Sequence, residues 1–107
     1  MNPEYLTHGL PPEWDQVAKI FTALGDGTRQ RILLAFEPDE LLSIQQIAAH
    51  LDLSRTAVVH HLKSLRDAGI LHSEKSGRET LYRLEPARVQ WALDALQTYL
   101  NALQGRG

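Results

Sequence analysis

Within ten residues the chain sets Ser54, Arg55, Thr56, Val59, His60 and Lys63. On a helix advancing about 100° per residue, Thr56, Val59, His60 and Lys63 share one face at i, i+3, i+4 and i+7, with Arg55 and Arg66 along one border. Val58, Leu62 and Leu65, with His61 beside them, fall on the opposite side. Hydroxyl, methyl, imidazole and ammonium groups gathered on one face are the chemistry that meets guanine acceptors, thymine methyls and phosphates in a major groove. A helix turned to plain solvent mixes Glu with Lys, whereas this face has no acid before Asp67. Ser54 is placed to cap the helix, where it and the free amides of the first turn suit a phosphate oxygen. Further along, Lys75 and Arg78 flank Ser76-Gly77, a cationic turn suited to lying along a phosphate backbone.

Other chemistries find little support. The chain has no cysteine, which removes disulfides, thiolate clusters, cysteine nucleophiles and thiol redox sensing. His60 and His61 point about 100° apart and cannot both ligate one ion from a single helix. His8, His50 and His72 are scattered. No nucleophile, acid–base pair or metal set gathers, and Ser54 has no base beside it, so an enzyme is not expected.

The charge distribution agrees with a polyanionic partner. The chain as a whole is acidic, with a net charge of −2. Residues 54–83 nevertheless hold six bases (Arg55, Lys63, Arg66, Lys75, Arg78, Arg83) against three acids. The other 77 residues hold five bases and ten acids. One surface is thus cationic and the rest acidic.

The elements that must position these residues follow from the punctuation. Pro11-Pro12 opens a first helix with Val17, Ile20, Phe21 and Leu24 at helical spacing, closed by a Gly25-Asp26-Gly27 turn. A second runs from about Thr28 to Phe36, before Pro38. After a short extended Leu41-Leu42, Ser43 and Gln46 form an S-x-x-Q capping box for a third helix of about two turns, with Ile44, Ile47, Ala48 and Leu51 inward. The fourth runs from Ser54 to Ala68, with Gly69 as left-handed cap. Ile70 to Leu84 changes to an alternating period around Ser76-Gly77, a β-hairpin. Pro86 opens a last helix with Val89, Leu93, Leu96, Leu100 and Leu103 on one stripe and Ala92, Ala95, Tyr99 and Ala102 on a second. The expected fold is mainly α with a β-hairpin wing, a winged helix-turn-helix in the order α-α-α-α-β-β-α, as a single domain over residues 1–107. Two apolar stripes on the last helix exceed what one small subunit covers, which calls for a second copy.

Three stretches carry a resemblance to a known family: Ala23-Leu24-Gly25-Asp26-Gly27-Thr28-Arg29-Gln30-Arg31-Ile32-Leu33, then 53–69 from Leu53-Ser54-Arg55 to Asp67-Ala68-Gly69, then Gly77-Arg78-Glu79 with Tyr82. Over roughly residues 15–100 the chain resembles the ArsR/SmtB bacterial repressors. The resemblance implies a homodimer built on the first and last helices, here Val17, Phe21, Val89, Leu93, Leu96, Tyr99, Leu100 and Leu103. It further implies that the fourth helix enters a major groove with the wing alongside, and that double-stranded DNA with an inverted repeat is repressed.

Where that family senses metal, this chain departs. The L-C-V-C pattern corresponds to Leu42-Ser43-Ile44-Gln45, and the site on the last helix to Pro86, Arg88, Tyr99 and Ala102, none a zinc ligand. No metal and no cofactor is therefore expected. The effector is left unidentified: a small organic molecule, a partner protein or nothing. Trp14, Trp91 and Tyr99 are read chiefly as interface packing, with an effector pocket as the alternative.

The longest apolar run, Ile32 to Phe36, is five residues against the ~20 of a membrane span. The opening Met1-Asn2-Pro3-Glu4 lacks the basic and apolar regions of an export signal, so a cytoplasmic location is expected. The rival reading is a winged-helix module that binds protein rather than DNA. It predicts large apolar anchors on the outward face of the fourth helix, where only Val59 stands.

Overall fold

A computed structural model describes residues 1–105; the last two residues of the expected 1–107 domain lie outside the described residues. The order is α1 (Glu4–Thr7), α2 (Pro12–Leu24), α3 (Gly27–Ala35), β1 (Leu42–Ser43), α4 (Ile44–Ala48), α5 (Arg55–Asp67), β2 (Leu71–Ser76), β3 (Glu79–Leu84) and α6 (Pro86–Leu103). The expected succession is present, with two additions. One turn of helix, α1, precedes α2, and β1 joins the hairpin as a third strand, giving the antiparallel order β1-β3-β2. The extended Leu42 pairs with Tyr82 and Ser43 with Leu81.

The local chemistry explains most boundaries. Pro12 opens α2 at a position where its missing N–H costs nothing. The Asp26 side chain accepts from the Arg29 amide at 3.0 Å and caps α3, so Gly-Asp-Gly is a helix start rather than a plain turn. That hydrogen bond is the first cause holding the Asp26 carboxyl below its usual range. Ser43 and Gln46 form the reciprocal capping box of α4. This helix ends at Ala48, shorter than the pattern suggested, and leaves Leu51 in the following turn.

The core lies where α2, α3, α4 and β2 close over α5. Ile20, Ile32, Val58, Leu62, Leu65, Ile70 and Leu71 are its largest fully buried side chains, each stabilising by roughly 1.5–3 kcal/mol relative to exposure. Val17, expected on the surface offered to a second subunit, is 2% exposed and belongs to this core. It faces inward because α2 packs on both α5 and α6. Phe21 and Val89, also assigned to that surface, are half-buried against the same core.

Candidate nucleic-acid interface

Helix α5 is fixed at both ends. The Ser54 Oγ accepts from the Ala57 amide at 3.1 Å, leaving the first-turn amides of Arg55 and Thr56 free of that cap. At the other end the Ile70 amide donates to the Leu65 carbonyl and the Gly69 amide to that of Arg66, both at 2.9 Å, with Gly69 at φ +79°. This is a Schellman close, and Leu65 and Ile70, its usual apolar pair, are both fully buried. Val58, Leu62 and Leu65 hold the inner face. Ser54, Arg55, Thr56, Val59, His60 and Lys63 are all exposed, as are Lys75 and Arg78.

His61 lies at the edge of the buried face. Its Nδ1 accepts from the Arg29 Nε at 3.2 Å, and the same arginine donates to the Thr22 carbonyl. The contact ties α5 to α3 and takes the ring out of the outward face, while the His60 ring stands 6.1 Å away and tilted to it.

Lys63 is already engaged. Its Nζ lies 2.7 Å from Asp67 Oδ2, and Arg66 lies 3.7 Å from the other oxygen. The hydrogen bond from Lys63, then the nearby positive charges of Lys63 and Arg66, keep the Asp67 carboxyl below its usual range despite some desolvation. The pair is exposed and weak.

In the wing, Ser76 pairs with Glu79 and Lys75 with Thr80. The two-residue turn Gly77-Arg78 has positive φ only at Gly77, +63°, the pattern of a II′ hairpin. This turn places Lys75 and Arg78 across a cleft from the start of α5. Arg55, Lys75 and Arg78 line one cleft of about 290 Å³ together with Gln45, Glu79 and Thr80. Sequence reasoning named the three cations but not the cleft, nor Gln45. Arg83, counted among the bases of this segment, pairs instead with Glu85 at 3.0 Å at the foot of the wing.

The positions matching the family's metal sites are used otherwise. Ser43 caps α4. Arg88 donates to the Ala68 carbonyl and to Gln16, and its guanidinium lies 4.8 Å from the Trp91 ring centre. Among the described residues no three His, Asp or Glu side chains gather as a cation site. Trp14, Trp91 and Tyr99 do line one open cavity of about 410 Å³, Trp14 and Tyr99 meeting edge to face at 6.0 Å.

The helix-turn-helix domain family HTH_20 matches residues 24–74, from the end of α2 into β2. The arsenic resistance transcriptional regulator ArsR1 of Pseudomonas putida is 34% identical over 79% of this chain, which spans 66% of that protein's length. Among solved structures, the ArsR-like transcriptional regulator of Rhodococcus sp. RHA1 superposes with a TM-score of 0.79, at 30% identity over 90% of both chains. The homodimeric winged helix-turn-helix DNA-binding domain of Mb0332 from Mycobacterium bovis shares the fold, with a TM-score of 0.63 at 20% identity. The chain belongs to the ArsR family of winged helix-turn-helix transcriptional regulators.

Proposed function

We propose that this chain is a sequence-specific double-stranded DNA-binding repressor, homodimeric, acting on an inverted-repeat operator in the cytoplasm as a single domain over residues 1–107, without catalysis and without a metal as its signal. The observation that carries the reading is the division of α5. Its apolar side is sunk in the core, and its hydroxyl, imidazole and cationic side is left bare beside a cationic wing. Thr56, Val59, His60 and Lys63 supply base-edge contacts, while Ser54, Arg55, Lys75 and Arg78 set the helix on the backbone.

The second copy is supported by the surface. The chain exposes 7466 Å², against the roughly 6,000 Å² of a compact chain of this size. The excess, roughly 1,500 Å², is more than the ~800 Å² per subunit that a standard interface covers. Leu93, Tyr99 and Leu103 of α6 are among the exposed apolar residues, with Leu96 and Leu100 half-buried beside them. A twofold dimer on α2 and α6 offers one α5 from each subunit, related by the same twofold axis, and an inverted repeat matches that symmetry.

The test is selection of duplexes from a random-sequence pool by the purified chain. Enrichment of a two-half-site inverted repeat is expected. Recovery of no preferred duplex overturns the reading and favours a module that binds protein.

A further inference from the structure

We propose that the cleft between the wing and the starts of α4 and α5 seats a single phosphodiester of the DNA backbone, gripped at once by Arg55 from the recognition helix and by Lys75 and Arg78 from the wing. The inference rests on the DNA-binding reading above and adds to it that helix and wing share one phosphate rather than holding separate ones.

Three observations lead there. First, Arg55 lies at least twenty residues in sequence from Lys75 and Arg78, yet all three line the same cavity. Each is held on a defined support. The Ser54 cap fixes the first turn of α5, and the hairpin register sets Lys75 opposite Thr80 with Arg78 in a two-residue turn. Second, none of the three makes an ion pair among the described residues, although Glu79 lines the same cleft, whereas Lys63, Arg66 and Arg83 each have a carboxylate. Unneutralised like charges repel one another in the free chain, and an anion placed between them relieves that repulsion. Third, the cleft, of about 290 Å³, is open to solvent, a form that admits one group of a long backbone from outside rather than enclosing a whole organic ligand. Gln45 and Thr80 add neutral donors to it.

Glu79 then has a definite part. As the single carboxylate on this wall it opposes the phosphate and trims the affinity of the seat. Because the shared phosphate joins the two supports, a shift of the wing is felt by α5, and the register of one sets that of the other.

A double-mutant cycle on Arg55 and Arg78 tests the proposal, read by fluorescence anisotropy on a labelled duplex enriched by the protein. All variants are checked for wild-type circular dichroism. Arg55→Ala and Arg78→Ala are each expected to weaken binding about tenfold. The double variant should weaken it well short of the hundredfold product. The slope of log affinity against log salt should fall by about 0.9, one phosphate's worth, when Lys75→Ala is added to the double variant and the seat has lost all three cations. Additive losses with a slope change of about 1.8 mean two separate phosphates and overturn the shared seat, with DNA binding by this face intact. If neither single variant weakens binding, the DNA-facing assignment of the face falls as well. Glu79→Gln is expected to tighten binding several-fold in the wild-type background and not where Arg55, Lys75 and Arg78 are all replaced by alanine; equal tightening in both overturns the placement of Glu79.

Discussion

Asp67 closes the outward side of α5 by holding Lys63 directly and Arg66 at longer range. A duplex phosphate must compete with this carboxylate for the Lys63 ammonium. The competition is mild, because the exposed pair is screened by salt and released at little cost. Asp67→Asn is therefore expected to raise affinity for DNA several-fold at low salt, with the gain shrinking as salt rises. Anisotropy titrations at two ionic strengths check this, and unchanged affinity at both means that Lys63 does not reach the duplex. The same carboxyl and that of Asp26 sit below their ordinary range in the folded chain. A depressed folded value means that each contributes its stability above about pH 4 and loses it as the pH falls through the folded value. The loss of this stability should accordingly set in as the pH falls into the ordinary carboxylate range and run on through the lower folded values, and Asp26→Asn should flatten the acid limb of a melting-temperature profile.

At the scale of elements, the two left-handed glycines around the functional surface make opposite demands. Gly69 has φ +79°, and a Cβ there would meet the Arg88 Nε at 3.0 Å; Gly77 has φ +63° and open space around it. Both substitutions strain the backbone by ~1–3 kcal/mol. Only Gly69→Ala also displaces Arg88, which joins the C-terminal end of α5 to α6 and α2. Gly69→Ala is expected to be the more destabilising by chemical denaturation. Gly77→Ala should leave the core intact and weaken DNA binding through the wing, and an equal loss of stability in the two variants contradicts this ranking. Such caps and turns were legible in the sequence because their rules are local: Ser43 with Gln46, Ser54 before an apolar stripe, Gly69 after it. Long-range choices were not. The pairing of β1 with β3 joins residues about forty positions apart. The period of α2 marks an apolar face, yet periodicity does not say whether Val17 meets its own subunit or another. Asp26 between two glycines reads as a turn until the Arg29 amide is seen to point at it. For the candidate site, the cationic residues were visible one by one. Their convergence with Gln45 on one cleft is a product of the fold.

The molecule as a whole is longer than a self-sufficient domain of its size. Its radius of gyration is 16.6 Å and its extents are 52 × 28 × 25 Å, where a compact chain of this length has a radius near 13 Å. The extra length comes with an apolar α6 whose outer residues Leu93, Tyr99 and Leu103 are 45%, 48% and 65% exposed. Apolar side chains exposed to this extent along one helix are stable in water when another copy covers them. In a twofold arrangement α6 meets the same helix of its mate, so a glutamate placed in the stripe enters the contact twice and is desolvated near its own image. Leu96→Glu is thus expected to convert the proposed dimer to single chains in sedimentation. Because Leu96 is half-buried within its own subunit, Leu93→Glu serves as the companion: it is more exposed, so its monomer should keep the wild-type circular dichroism. Loss of the second half-site contact removes the intramolecular advantage of two linked sites, and duplex affinity should drop by roughly 10²–10⁴-fold in both variants. Two variants that sediment as wild type would place the interface elsewhere than on α6. Dissociation without loss of affinity would mean that each subunit reads its half-site alone, and the inverted repeat would then have no structural reason.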